Sequence, residues 1–278
     1  MNYLEKVERY LWKKPQNYQY INNWWDFDII LTPELVFRFP KKEKKLEELK
    51  NEKNLLEIVS HYTSFKIPLP QIIENQFFVY TIIKWKTIPK NIKAYNEQII
   101  YDIVRFMKQI HNIPLERIPS YYKQSNMSQE KLNKFVKDIK LNVEKKLFNL
   151  IPKKHLKNLL KYIDTLFYEF EPPKKALVHH DLNSDNILIK NNKVNWVIDF
   201  SDSRIAWIEV DFCHFCDISD RLLKDFIKKY KWYEDKDFYE RVYFLAARSV
   251  IFEIYEKDKL TSKDIPYIKN KLKKFNFI

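Results

Sequence analysis

The chain has 278 residues, of which 45% are hydrophobic and 31% are charged, and its formal net charge is +13. This length is sufficient for two lobes with sizeable cores. No apolar run approaches the roughly 18 residues of a membrane span, and the amphipathic, partly acidic N-terminus is not typical of a secretory signal. We therefore expect a globular, cytoplasmic protein without a membrane partner.

The positive charge is spread along lysine-rich segments instead of forming one block. This pattern indicates a solvated lysine surface, so we expect no nucleic-acid partner. An RNA-binding module is the alternative, but aromatic-basic motifs are missing from the sequence. Residues 199–220 differ, because they contain six acidic residues and one arginine. An acidic patch on a basic protein suits a cationic substrate.

Cysteine and glycine are both used unusually. Cys213 and Cys216 form a C-x-x-C that we interpret as two reduced core residues, since a zinc site needs more ligands.

Glycine is absent, although average usage of about 7% would give roughly 20 residues. Glycine codons are GC-rich, so an AT-rich gene would contain few of them. Proline codons are equally GC-rich, however, and the chain contains twelve prolines, so coding bias does not explain the absence of glycine. We hypothesise that glycine was removed deliberately from a natural parent; glycine-free natural relatives would contradict this.

The N-terminal third of the chain predicts a helix, an antiparallel sheet and a second helix. Apolar spacing indicates a helix over 1–13, strands over 18–21, 27–31 and 35–39, and a helix over 43–60. A hairpin over 71–73 and 77–83 follows, and then a polar crossing at 84–90. We predict an N-terminal nucleotide-binding lobe over 1–83, a hinge over 84–90 and a C-terminal catalytic and substrate-binding lobe over 91–278.

Several residues of this first part lie where a nucleotide kinase places its nucleotide contacts. Arg38 near a strand end and Glu52 in the following helix are placed like the phosphate-binding lysine and helix glutamate of a kinase. A strand-edge arginine and a solvated glutamate are the alternative. Backbone groups from Thr81 to Ile83 would meet the base, and Trp24 lies in the hairpin that would cover the phosphates.

The rest of the chain predicts mostly helices. An apolar stripe from Ile100 to Ile110 indicates a helix that ends at His111-Asn112. Further amphipathic patterns predict helices over 128–148, 153–169, 208–230, 236–257 and 262–275.

Residues 177–200 contain the strongest chemical signal. Two apolar strands joined by a turn at Asn191-Asn192 separate the pair Asp181 and Asn186, spaced D-x-x-x-x-N, from Asp199. Phosphoryl transfer needs a carboxylate that orients a hydroxyl and two oxygen ligands for magnesium. The order and spacing match those of kinases. We assign the neighbouring His179 to packing and hydrogen bonding.

The sequence resembles the aminoglycoside O-phosphotransferases over nearly its whole length, most closely those that act on the 2″-hydroxyl. The resemblance is based on FRFPK at 37–41, NEKNLLEIV at 51–59, IPLPQII at 67–73, QIHNI at 109–113, LVHHDLNSDNILI from 177 and VIDFSDSRI from 197. It implies an α+β, protein-kinase-like two-lobed fold and an enzyme that transfers the γ-phosphate of ATP or GTP to an aminoglycoside antibiotic, which confers resistance.

The resemblance also implies roles for individual residues. Asp181 would be the catalytic base, while Asn186 and Asp199 would hold Mg²⁺. Arg38 and Glu52 would form the nucleotide-phosphate pair. The candidate carboxylates for substrate amines are Asp202, Asp217, Asp220 and Glu253. We expect a monomer.

The sequence departs from the family pattern at several positions. Where relatives usually have glycine, it has Trp24, Trp85, His180, Ser201 and Ala206, and Trp207-Ile208 replaces a polar Asp-Pro. A side chain at a left-handed position costs about 1 kcal/mol or more. A catalytically impaired nucleotide-binding scaffold is therefore one alternative. Another is a small-molecule kinase for choline or a sugar, because choline is also cationic and the acidic patch does not distinguish it.

Overall fold

The computed structural model describes residues 2–22, 27–123, 127–230, 235 and 237–278. The chain divides into two compact units. The first consists of Met1–Lys123 with Ala176–Ile205, and the second of Gln124–Lys175 with Ala206–Ile278. The predicted lobe boundary at 84–90 stays a prediction. No helix within the described ranges is long and apolar enough to cross a membrane.

The first unit begins with a helix and a sheet. Helix α1 (Tyr3–Leu11) starts at a capping box formed by Asn2 and Glu5. The described residues then form a five-stranded antiparallel sheet in the order β1-β2-β3-β5-β4. Its strands are β1 (Gln19–Ile21), β2 (Phe27–Leu31), β3 (Leu35–Pro40), β4 (Gln71–Ile73) and β5 (Phe77–Thr81), and helix α2 (Glu43–Tyr62) lies between β3 and β4 in the chain. The predicted antiparallel sheet and its two helices are confirmed.

The alternation of side chains along β3 decides which residues face each helix. Phe37 and Phe39 pack in a cluster with Val7 of α1. On the other face, Phe78 of β5 packs with Leu49 of α2. Because successive strand residues point to opposite faces, Arg38 is placed on the α2 side of the sheet.

The crossing after β5 differs from the polar linker that the sequence predicts. Its residues Lys86–Thr87 form a short strand, β6. Helix α3 (Glu97–His111) follows, and its buried Asp102 accepts a hydrogen bond from the backbone N–H of Val194 at 3.1 Å. This bond connects α3 to the hairpin described next.

The remainder of the first unit contains the candidate catalytic residues. Strand β7 (Lys175–Val178) leads into a loop, a 3-10 turn at Ser184–Asn186 and the hairpin of β8 (Ile187–Lys190) and β9 (Lys193–Val197). Asn191 and Asn192 form the hairpin turn with φ of 53° and 59°, as a type I′ turn requires. Strand β6 pairs with β8, and β7 pairs with β10 (Arg204–Trp207).

The second unit is mostly helical, as predicted. Its helices are α4 (Gln129–Leu147), α5 (Lys153–Asp164), α6 (Cys213–Ile218), α7 (Asp220–Tyr230), α8 (Phe238–Ala246), α9 (Arg248–Glu256) and α10 (Asp264–Lys274).

The predicted continuous helices over 208–230 and 236–257 are each interrupted. The first begins as a 3-10 turn at Ile208–Phe212. It breaks at Ser219, which is extended and whose hydroxyl accepts from the backbone N–H of Leu222 at 3.2 Å. Serine favours such a cap over a helix interior. The second breaks at Ala247.

The two cysteines are packed as predicted. Cys213 is half-buried and Cys216 is buried, and both thiols are free. Burial raises the pKa of Cys213 to about 12. A thiol that ionises this reluctantly is a poor nucleophile and metal ligand at neutral pH.

Candidate active site

The loop after β7 holds Asp181 between two side-chain amides. Asn186 Nδ2 donates to Asp181 Oδ2 and to the Asp181 carbonyl oxygen, each at 2.9 Å. Asn183 Nδ2 donates to Asp181 Oδ1 at 2.8 Å. Both carboxylate oxygens therefore accept a hydrogen bond from a neutral side-chain amide, and these bonds orient the side chain.

Asp199 lies beside this loop. The backbone N–H of Ile198 donates to the carbonyl oxygen of Asn186 at 3.0 Å, which joins the two segments. Asp199 adopts a left-handed φ of 63°, a conformation that aspartate tolerates better than most residues. Its Oδ1 accepts from the hydroxyl of Ser201 at 2.8 Å.

His179 is a packing residue, as the sequence predicts. Its side chain is fully buried, and its ring packs against Phe106 and Phe200. Its Nε2 lies 3.0 Å from the carbonyl oxygen of Ile198. The histidine thus stabilises the backbone from which Asp199 projects.

Arg38 and Glu52 form a buried ion pair. Arg38 Nη1 lies 3.6 Å from Glu52 Oε2, and the two side chains are 13% and 8% exposed. The same Nη1 donates to the hydroxyl of Tyr80 at 3.0 Å, and the guanidinium lies 4.3 Å from the ring centre of Phe27. The alternative of a strand-edge arginine with a solvated glutamate is therefore wrong.

A cavity of about 440 Å³, which we call the main cavity, brings most of the predicted nucleotide and metal residues of the first unit together. This volume is in the range of small-molecule sites. Its lining includes Arg38, Glu52, Thr81, Ile83, Asn186 and Asp199, together with apolar side chains of β2, β3 and β8. The lining thus combines charged and apolar side chains, as a nucleotide requires.

Two carboxyl groups of the first unit have raised pKa values, Glu52 of the main cavity and Asp202 of the segment after Asp199. Burial raises the pKa of Glu52; Arg38 opposes this rise and the charge of Asp199 adds to it. Burial also raises the pKa of Asp202, where Arg204 opposes the rise and the charges of Asp181 and Asp199 add to it. The site is thus suited to a cation that neutralises the carboxylates.

The donor set fits Mg²⁺. Because Asn186 uses its Nδ2 for both bonds to Asp181, its Oδ1 stays available, and one oxygen of Asp199 has no described hydrogen-bond partner. Magnesium is commonly held by one or two protein oxygens together with substrate phosphates. Among the described residues, no group of three or more His, Cys, Asp or Glu is placed to hold a metal.

The predicted substrate carboxylates are distributed over both units. Asp202 lies in the first unit, and its side chain is 58% exposed, 3.6 Å from Arg204. In the second unit, Asp220 accepts from the hydroxyl of Tyr239, whereas Asp217 and Glu253 are bound to lysines of α10. Their role in substrate binding stays a prediction.

Sequence reasoning missed Tyr80 and the α10 lysines. Tyr80 lines the main cavity and holds Arg38. Tyr80 pairs with Val36 of β3, so it lies on the same face of the sheet as Arg38. The alternation of side chains along β5 could have indicated this position. The ion pairs of Lys271 and Lys274 join helices that are distant in sequence, and no local pattern indicates them.

The residues that stand where relatives usually have glycine adopt different backbone conformations. His180 has a φ of 71°, the left-handed conformation for which glycine is best suited, whereas Trp85, Ser201 and Ala206 do not have positive φ. Trp24 lies outside the described residues. Trp85 instead lines the main cavity. Its ring packs edge-on against Trp196 with ring centres 6.3 Å apart.

Comparisons with solved structures show the same fold. The ADP-bound aminoglycoside phosphotransferase APH(2'')-Ib is 19% identical, with 98% of this chain and 96% of that chain covered and a TM-score of 0.69. The GDP complex of aminoglycoside 2'-phosphotransferase-IIIa is 17% identical, with 99% and 98% covered and a TM-score of 0.72. Macrolide 2'-phosphotransferase type I is 15% identical, with 98% of both chains covered and a TM-score of 0.68.

The predicted kinase-like fold is thus confirmed. No curated protein matches the chain. A family model described as the phosphotransferase enzyme family, APH, matches residues 17–245. This match covers most of the chain, including all the residues that surround the main cavity. The chain therefore belongs to the phosphotransferase enzyme family.

Proposed function

We propose that this protein is a magnesium-dependent phosphotransferase that transfers the γ-phosphate of ATP or GTP to a hydroxyl of an aminoglycoside. The 2″-hydroxyl is the first candidate for the acceptor. The observation that carries the proposal is that Asn186 and Asp199 line one cavity with the Arg38–Glu52 pair, and that Asn186 is hydrogen-bonded to Asp181. Inactivating an antibiotic in this way would confer resistance. We place the enzyme in the cytoplasm as a monomer.

Each residue has a proposed task. Arg38, held by Glu52 and Tyr80, binds the nucleotide phosphates. Thr81 and Ile83 line the main cavity, whose apolar side chains suit the base. Asp181 orients the acceptor hydroxyl and takes its proton, since its carboxylate is held in place by the amides of Asn183 and Asn186.

Asn186 and Asp199 would hold Mg²⁺, which would supply positive charge to neutralise the charge on the phosphates during transfer. The acids predicted to meet substrate amines are Asp202, Asp217, Asp220 and Glu253.

The aminoglycoside assignment is supported by the ligands of the structural relatives. One of them is a gentamicin complex of APH(2'')-IIa, which is 20% identical with a TM-score of 0.67. Another is a kanamycin and GDP complex of APH(2'')-IIIa, which is 17% identical with a TM-score of 0.70. The acidic stretch at 199–220 is complementary to such polyamines.

A coupled nucleotide-turnover assay tests the proposal. Kanamycin and gentamicin are offered with ATP and with GTP, next to a macrolide, choline and a simple sugar. We expect acceptor-dependent turnover with an aminoglycoside and none without Mg²⁺. Turnover with choline or the sugar alone would identify a different small-molecule kinase. Nucleotide binding without turnover on any acceptor would identify an impaired scaffold.

A further inference from the structure

Tyr80 lies on the same face of the sheet as Arg38 and contacts it. In the pairing of β3 with β5, Arg38 is opposite Phe78 and Val36 is opposite Tyr80. Because side chains two residues apart on a strand point to the same face, Tyr80 and Arg38 are neighbours on the sheet. Arg38 Nη1 donates to the Tyr80 hydroxyl at 3.0 Å. Both side chains line the main cavity, so this bond is part of its wall.

One nitrogen of the Arg38 guanidinium is used by the protein itself. Nη1, which binds Tyr80, also lies 3.6 Å from Glu52 Oε2. The guanidinium carbon lies over the ring of Phe27, 4.3 Å from its centre. A planar group that is bound at one nitrogen and packed on one face has little freedom to rotate. These contacts therefore fix the direction in which the rest of the guanidinium points.

The other two nitrogens of Arg38, Nε and Nη2, form one edge of the guanidinium. Nε is buried and has no hydrogen-bond partner among the described residues. Within the same part of the chain, no hydrogen bond of Arg38 uses Nη2. A buried donor without a partner is costly, and arginine binds carboxylates and phosphates best through two parallel N–H groups. The edge is therefore suited to a phosphate.

The Tyr80 hydroxyl holds Arg38 without cancelling its charge. Burial raises the pKa of Tyr80; Arg38 opposes this rise and the charge of Glu52 adds to it. The hydroxyl therefore stays protonated and neutral at neutral pH. A carboxylate in its place would form a second ion pair with Arg38 and weaken its attraction for an anion. Tyr80 is thus suited to orient a guanidinium that still has to bind phosphate.

We propose that Tyr80 is a positioning residue for phosphate recognition, because it sets the rotation of the Arg38 guanidinium so that the Nε–Nη2 edge binds a nucleotide phosphate through two parallel hydrogen bonds. This inference rests on the proposed function and makes the two residues one recognition unit. Lysine at position 38 has no such edge, and phenylalanine at position 80 has no hydroxyl. Neither substitution can preserve the contact.

Variants of the full chain test this inference. Y80F removes only the hydroxyl, R38K retains the positive charge but removes the edge, and R38K/Y80F combines the two changes. The matched control Y10F removes a tyrosine hydroxyl that donates to Gln71 at 3.4 Å in the same unit, away from the lining of the main cavity. Calorimetry measures the affinity of each protein for ADP and GDP, and for adenosine and guanosine, which have no phosphate, with Mg²⁺ present throughout.

We expect Y80F to bind ADP or GDP on the order of tenfold more weakly than the wild type, because the guanidinium edge is no longer held in place. Nucleoside affinity should change little. R38K should lose at least as much diphosphate affinity, and Y80F should add little to R38K, since lysine has no edge to orient. Y10F should match the wild type.

Two results of this comparison would overturn the inference. One is an equal loss of nucleoside and diphosphate affinity in Y80F, and the other is a Y80F effect of the same size with and without R38K. Thermal unfolding checks the folding of each variant. Unchanged diphosphate affinity in R38K would also overturn the inference, which covers the case that Y80F does not fold.

Acceptor-dependent turnover, measured on the same proteins, separates this inference from the proposed function. A wild type that binds diphosphates with the expected dependence on Tyr80 but transfers no phosphate would defeat the proposed function and support the inference. Turnover in a protein whose diphosphate affinity does not depend on Tyr80 would have the opposite meaning. A wild type that binds no diphosphate would defeat both.

Discussion

The side-chain amide of Asn186 donates to the carboxylate of Asp181 across one turn of the loop, at 2.9 Å. The residue proposed to hold the metal therefore also orients the residue proposed to accept the proton. Asn183 provides a matching bond to the other oxygen of Asp181. A carboxylate fixed in this way needs little rearrangement before it meets a hydroxyl.

Replacing Asp181 by alanine should reduce phosphoryl transfer by about 10²- to 10⁴-fold, the usual contribution of a positioned general base. Nucleotide affinity should change little, because the main cavity is lined by other side chains. Acceptor-dependent turnover and equilibrium nucleotide binding are measured in parallel. As a control, D164A removes an aspartate on α5 that pairs with Lys140 and should retain turnover. Normal turnover in D181A would show that another group is the base.

Replacing Arg38 by methionine should cost about 3–5 kcal/mol of unfolding free energy, since it leaves Glu52 buried without a partner. The variant E52L should also destabilise the fold, but R38M/E52L should lose less than the sum of the two single variants. Urea unfolding of the four proteins measures this coupling. Additive losses would mean that the two side chains do not stabilise each other.

Glu209 should make stability depend on pH. Its side chain is 1% exposed, and Oε1 accepts from Arg241 Nε at 2.8 Å, whereas the buried Oε2 has no hydrogen-bond partner among the described residues. Burial raises the pKa of Glu209 above its ordinary value, while the bond from Arg241 opposes the rise. Folding therefore favours the protonated form, and this contribution is complete below the ordinary glutamate pKa and is lost as pH rises through the raised value.

The variant E209Q cannot ionise, so it should gain stability relative to the wild type as pH increases from about 4 to 8. Urea unfolding at several pH values measures the difference. The exposed Glu240 on α8 supplies the matched control E240Q. A difference between E209Q and wild type that stays constant over this range would contradict the prediction.

Replacing His180 by glycine should stabilise the protein by about 0.5–1 kcal/mol, because glycine adopts its φ of 71° without a steric cost. The melting temperature should rise by about 1–4 °C. The control H61G introduces glycine near the end of α2, where it should lower stability. A lower melting temperature for H180G would show that the contacts of the imidazole outweigh the backbone strain.

The sequence predicted the parts of the site that are local in the chain. The spacing of Asp181, Asn186 and Asp199 places them together because one hairpin separates them. The contact between Arg38 and Glu52 also follows from the sequence. A strand followed directly by a long helix leaves few ways for the helix to pack on the sheet. The role of Asp102, which binds the backbone of Val194, was not predicted, because a buried aspartate and a solvated one look alike in sequence.

The sequence alone also does not predict contacts between helices that are far apart along the chain. Asp217 and Glu253 were treated as free carboxylates, whereas their partner Lys271 lies on the last helix. A lysine on a helix face is usually solvated, so only packing reveals that this one is enclosed. Similarly, the break at Ser219 is decided by one capping bond that helical periodicity does not show.

The pairing of β6 with β8 has a consequence for how the main cavity can change its width. Thr87 is in register with Leu188, and the N–H of Ile88 donates to the carbonyl oxygen of Ser184. At the other end of the crossing, the N–H of Ile82 donates to the carbonyl oxygen of Glu34 at 2.6 Å. Rotation about backbone bonds is thus confined to the three residues 83–85, which belong to no strand or helix. We therefore predict that these three residues are where the backbone would rotate if a bound nucleotide widened the main cavity.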